Sequence, residues 1–172
     1  MQFTIPTNTL RAFAEVCASK KNESERLKNI HIANGVIEAT DSYVYAYRFE
    51  NLPLLGDSEY FIPATIAKTL RPNRMATIVD DGGCRTINDG DVLFMLPTVE
   101  KAYPNLKNMR AQDDCAKGGS LRIGSEYLEK VVRFTKKFAP GRWLKLKFTL
   151  LQGGIGEITP ITDDFAIRFI GK

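Results

Sequence analysis

Histidine is almost missing from this sequence: His31 is the only one among 172 residues. The cysteines, Cys17, Cys84 and Cys115, are three, scattered, and without a CxxC pair. An odd, dispersed set argues against a disulfide framework and fits a reducing cytoplasm, so a cytoplasmic location is expected. With one histidine beside those cysteines there is no ligand set for zinc, and no metal or cofactor is expected. No apolar run approaches the roughly 20 residues that a membrane span requires. The opening MQFTIPTNTL has no basic segment ahead of an apolar core, so neither a secretory signal nor a membrane partner is expected.

Catalytic constellations are also lacking. Asp80-Asp81, Asp113-Asp114 and Asp163-Asp164 are the acidic pairs. Asp81 and the last pair fall at turns and Asp113-Asp114 in a polar connector, where aspartate serves backbone geometry. GGIG at 153–156 has no following Lys-Ser/Thr and no helix, and reads as a hairpin turn rather than a phosphate loop. His31 sits in KNIHIA without a nucleophile motif, as a strand-face residue. The chain is therefore expected not to be an enzyme.

What the chain has in excess is local positive charge. The net charge is +4, but Ser120–Lys147 alone holds eight Lys/Arg and two Glu, leaving the remainder net acidic. One segment carries the whole surplus, the mark of a local electrostatic footprint.

A pattern of strand, helix and three strands recurs with a period near 60 residues. Unit one runs from QFTI through a helix over about Asn8–Lys20 to LKNIHIA, VIEAT and YVYAYRF, with Asn34-Gly35 as a tight hairpin signal. Unit two begins at EYFI, has a short helix from Pro63 to about Leu70 stopped by Pro72, and continues through MATIVD, CRTIN and VLFML. Unit three begins at SLRIG and has a helix from Ser125 to Pro140-Gly141. Three strands follow in WLKLKFTLL, GIGEITP and FAIRFIG. A polar segment ending in two glycines precedes it and reads as a linker.

On the helix of unit three, Tyr127, Val131, Phe134 and Phe138 form one apolar stripe, flanked by Leu128, with Lys130, Arg133 and Lys137 a quarter turn or more away. No acid follows Glu129 on that helix. Helix two repeats the arrangement weakly with Lys68 and Arg71, and helix one with Arg11. A charge run is ordinarily a solvated face; its repetition on three equivalent helices instead describes a surface that phosphates can follow.

Three stretches resemble a known family. ATDSYVYAY (39–47), EYFIPATIAKTL (59–70) and VLFMLPTVEKAYPNL (92–106) resemble, in order and spacing, segments of the DNA polymerase sliding clamp in its bacterial beta-subunit form, here as a short clamp-like homologue. The resemblance covers about residues 1–110; unit three matches in element order. It implies an α+β, DNA-clamp-like fold, with three strand–helix–three-strand units and helices on one face of antiparallel sheets. Residues 1–110 become one complete two-unit domain, 111–119 a linker and 120–172 a half domain. It further implies a non-catalytic protein that binds double-stranded DNA without sequence specificity. The role implied is a processivity or tethering factor in DNA replication, working with a DNA polymerase or another replication protein and self-associating as a homo-oligomer. Four copies of three units would give the family's twelve. Carried over by position, the DNA-binding candidates are Lys130, Arg133, Lys136, Lys137, Lys68, Arg71 and Arg11. Reversing Lys130, Arg133 and Lys137 to Glu is expected to abolish duplex binding and leave the fold intact. The alternative is a clamp-derived protein-interaction module that binds a replication partner and does not encircle DNA.

Overall fold

Alternation sorts the strands into two faces, and hairpin turns set their register. The structure, a computed structural model, describes residues 1–19, 24–52, 58–99, 102–106, 124–138, 146–151, 155–160 and 165–170. Unit one contains β1 (Gln2–Pro6), α1 (Thr7–Phe13), a 3-10 turn (Glu25–Lys28), β2 (Asn29–Ala33), β3 (Val36–Thr40) and β4 (Val44–Phe49). Unit two contains β5 (Tyr60–Pro63), α2 (Ala64–Thr69), β6 (Met75–Asp80), β7 (Arg85–Asn88) and β8 (Leu93–Met95). Unit three contains α3 (Ser125–Phe138), β9 (Leu146–Leu150), β10 (Ile155–Pro160) and β11 (Ala166–Ile170).

The β2–β3 turn is the expected Asn34-Gly35, with φ of 50° and 71°, both left-handed as a tight primed turn requires. A Cβ on Gly35 would lie 3.1 Å from the Glu50 carbonyl oxygen, so the position is held to glycine by space as well as by φ. Helix α1 is shorter than the apolar spacing implied. It ends at Phe13, and Ala14–Cys17 continue as buried turn residues. The linker 111–119, most of SLRIG, Trp143, Gly153-Gly154 and Asp163-Asp164 lie outside the described residues.

Units one and two exchange their first strands. β1 pairs with β6, giving the four-stranded order β1-β6-β7-β8, while β5 pairs with β2. The second sheet has seven strands, β5-β2-β3-β4-β11-β10-β9, so unit three joins through unit one and not through the unit before it in the chain. Where the two sheets abut, the Phe3 ring meets Tyr60 edge-on at 5.1 Å. The α+β class that the resemblance implies, with helices on one face of antiparallel sheets, is the class observed.

One core runs beneath all three helices. Phe3, Ile5, Ile78 and Ile87 face it from the four-stranded sheet, and Ile30, Ile37, Ala46, Ile158 and Ile167 from the seven-stranded one. Phe134 is fully buried and joins the units, its ring meeting Phe13 at 5.1 Å and Phe165 at 4.8 Å.

The opposite face of the seven-stranded sheet is polar yet buried. Glu38 accepts hydrogen bonds from the Tyr45 hydroxyl at 2.6 Å and contacts His31 Nδ1 at 2.8 Å. Arg168 is paired with Glu157 at 2.6 Å. Tyr103 stacks on His31 at 4.4 Å between ring centres, and Arg26 donates to the Ala102 carbonyl, so residues 102–106 lie across this face. The carboxylates of this face are matched by Tyr45, His31 and Arg168, which offsets their burial, while Arg26 Nε, His31 Nε2 and the Tyr103 hydroxyl are buried without a hydrogen-bond partner among the described residues. His31 thus has a packing and pairing role.

Candidate nucleic-acid interface

The three helices share one side of the sheets, and each cation is placed by how its helix is held. Arg11 projects from α1 toward α2, and its Nη1 donates to the carbonyls of Lys68, at 2.7 Å, and Leu70, at 2.5 Å. These are among the carbonyls that a helix C-terminus leaves without an internal partner. The guanidinium is thereby committed to capping α2.

After α2 the chain turns sharply through Pro72 and Asn73, the latter at φ 60°. Asn8 and Asn73 exchange hydrogen bonds at 2.8 and 3.0 Å, and Thr7 and Arg74 do so at 3.1 Å in both directions. Asp89, almost fully buried, accepts from the Arg71 backbone N–H at 2.8 Å. That bond first, then those from the N–H groups of Asp91 and Val92, holds the Asp89 carboxyl below its usual range against the opposing effect of burial. The Arg71 and Arg74 side chains share the Asp91 carboxylate, at 2.9 and 3.1 Å. Arg74 was not singled out in the sequence, because it follows a proline turn and lies on no helical face. Lys68 is exposed and has no ion-pair partner among the described residues.

Helix α3 divides its cations between two directions. Lys130 and Lys137 lean toward unit one and pair with Asp41 and Glu15, whose side chains are only 5% and 8% exposed. The compensating acids missing from α3 come from the β3–β4 turn and α1's end, 89 and 122 residues away in sequence. Asp41 also accepts from the backbone N–H groups of Tyr43 and Val44 at 3.0 and 2.8 Å, so Lys130 binds a carboxylate that is already fixed. Arg133 and Lys136 point away from the sheet. Arg133 is paired with Glu129 at 2.5 Å, both ends more than half exposed. Lys136 is exposed and has no ion-pair partner among the described residues.

The seven candidates therefore fall into three groups. Lys136 and Lys68 carry uncompensated charge. Arg133 and Arg71 are held by exposed partners, in pairs of the kind worth about 0–1 kcal/mol, which an incoming phosphate can replace. Lys130, Lys137 and Arg11 are engaged in holding helices together. Among the described residues no group of three His, Cys, Asp or Glu side chains is placed to hold a metal ion, and no helix is long and apolar enough to cross a membrane.

No protein-family model matches the chain, and no curated protein does. Solved structures match over its whole length. The DNA polymerase III subunit beta of Borrelia burgdorferi, solved in complex with a natural product, aligns with all of this chain and 64% of its own at a TM-score of 0.69 and 8% identity. The DNA polymerase sliding clamp of Pseudomonas aeruginosa aligns with all of this chain and 66% of its own at 0.67 and 14% identity. The Thermotoga maritima beta subunit aligns with 99% of this chain and 64% of its own at 0.63 and 12% identity. The chain thus has the DNA-clamp fold. It spans about 64–66% of the length of these clamps.

Proposed function

We propose that this chain is a non-catalytic, clamp-like protein that binds duplex DNA without sequence specificity and acts as a processivity or tethering factor, assembling with further copies of itself. Residues 1–110 serve as its two-unit domain, 111–119 as a linker and 120–172 as a third unit. The observation that carries the reading is the exposure of Lys136, Arg133 and Lys68 on a helix layer of clamp fold. Fixed cations on helices, without interleaved aromatic side chains, suit the regular phosphates of a duplex better than splayed bases.

Lys136, Arg133, Lys68 and Arg71 are the principal phosphate contacts in this proposal, with Lys130, Lys137 and Arg11 contributing field more than contact. The reversal of Lys130, Arg133 and Lys137 is a poor test, because it would set two glutamates against the nearly buried Asp41 and Glu15. The better variant is Arg133→Glu, Lys136→Glu, Lys68→Glu, read by duplex anisotropy across a salt series. Wild type should lose affinity steeply with salt, and each neutralised phosphate contact contributes about −0.9 to the logarithmic slope. The variant should lose duplex binding while its far-UV circular dichroism stays the same. Unchanged affinity would remove these helix cations from the interface.

A second reading is a protein-interaction module for a replication partner. It is favoured by the exposed face of the four-stranded sheet, where Leu93 and Met95 on β8 are 62% and 72% exposed, and by a cavity of about 720 Å3 next to Lys68. Salt-insensitive indifference to duplex, together with retained binding of a polymerase, would select it.

A further inference from the structure

Unit three follows unit one in its helix and three strands, but among the described residues it lacks the neighbouring strand and helix that close unit one. In unit one, β2 has β3 on one edge and β5 of unit two on the other. Its counterpart β9 has β10 on one edge and, among the described residues, no strand on the other. Phe148 lies on β9 in register with Ile158, which pairs with Ile167 on the buried face, yet Phe148 is 56% exposed.

The helices show the same contrast. At about 100° per residue, Lys130 and Lys137 stand roughly a quarter turn to one side of the Val131–Phe134–Phe138 stripe, where they meet unit one. Leu128, Val132 and Thr135 stand roughly a quarter turn to the other. The matching flank of α1 carries Arg11 and is closed by α2. On α3 that flank is open, with Leu128 43% and Val132 40% exposed. The Thr135 hydroxyl is turned back onto the Val132 carbonyl at 3.0 Å, so it offers nothing polar outward. This flank has no donor with which to cap a helix end as Arg11 does; it has apolar side chains, and the β9 edge has no neighbour among the described residues.

We propose that a second copy of the chain docks here, unit three against unit three about a two-fold axis, making between two chains the domain that units one and two make within one. The internal pair shows that a unit of this kind is completed by another of its kind. A two-fold axis sets the same patch on both sides, so the patch of Leu128, Val132 and Phe148 meets its own copy, and an apolar flank is self-complementary where an arginine flank is not. The inference rests on the self-association in the proposed function and is independent of DNA binding.

The test is the solution mass of the full chain by light scattering, without DNA, from low- to high-micromolar protein. Wild type should be a dimer or an even-numbered assembly. Leu128→Asp with Val132→Asp should halve the mass, while Leu93→Asp with Met95→Asp on β8 should leave the two-copy contact in place. Should the first variant fail to fold by circular dichroism, Phe148→Ser, at a surface position, should give the same halving. A monomeric wild type, or a mass lowered by the β8 variant and unmoved by the α3 and Phe148 variants, overturns the proposal. A dimer that ignores duplex DNA would defeat the DNA-binding reading and leave this one standing.

Discussion

In unit one and unit three alike a helix precedes three antiparallel strands, and the two helices lie side by side with Phe13 against Phe134. Around α1 every flank is occupied: Arg11 reaches the end of α2, and on the other side Arg48 donates to Thr9 while lying over the Phe138 ring. Around α3, among the described residues, the flank toward unit one is occupied by Lys130 and Lys137 on their carboxylates, and the flank of Leu128 and Val132 is exposed. The difference lies in what each flank is made of. Closed flanks are held by charge reaching to buried acids or carbonyls, whereas the open one is short, apolar and undirected. Charge marks where this fold is finished within a chain, and exposed leucine and valine mark where it is not.

Four substitutions sharpen or break that contrast. The largest effect belongs to the shared core. Phe134→Ala should cost about 3–5 kcal/mol, read by denaturant unfolding, because the ring fills space between α1 and the unit-three sheet. Next is Lys130→Ala, which leaves Asp41 nearly buried without its cation and should cost about 1–3 kcal/mol. A cost near zero would mean that the fixed backbone donors satisfy Asp41 alone.

The third concerns acid. Asp89 and Asp80 have native pKa values below the ordinary range. Asp89 is held there chiefly by the Arg71 N–H, and Asp80 by the Gly82 N–H and then Arg85. Depressed carboxyls contribute stability above the unfolded value of about 3.9, and that contribution is lost as pH falls through the lower native values. Urea midpoints should therefore drop below pH about 4, and Asp89→Asn should flatten that limb; an unchanged slope would discharge Asp89 from the role. The smallest effect is Leu128→Ala, within about 0.5 kcal/mol for dilute, monomeric protein. A larger loss that grows with protein concentration would mean that the flank is already covered.

The unit repeat, the hairpin turns and the apolar stripe of α3 were legible because each is local. Asn34-Gly35 sets a turn by backbone preference, and Val131 and Phe134 follow one helical face to the core. The exchange of β1 and β5 was not legible, since the pairing of Phe3 with Ile78 leaves no mark within either segment. Nor was the spatial order, in which unit three follows unit one. Among the site residues, sequence placed all seven cations on or beside the helix layer, but it could not show that Asp41 and Glu15 engage two of them. Arg11 looked like a surface charge because its acceptors, the carbonyls of Lys68 and Leu70, are backbone atoms 57 and 59 residues away.

The strand exchange also constrains how the chain is born. Gln2–Pro6 leave the ribosome some seventy residues before their partners, Met75–Val79. Until then Phe3 and Ile5 have no sheet to enter, and β2 lacks β5 along one edge for the thirty residues before Tyr60. Unit one therefore cannot mature in order of synthesis, because long-range pairing of this kind is intrinsically slow and leaves apolar surface uncovered while it waits. Slowing translation after β8 should help this protein to fold, and slowing it between β4 and β5 should harm it, as judged by the soluble fraction of nascent chains.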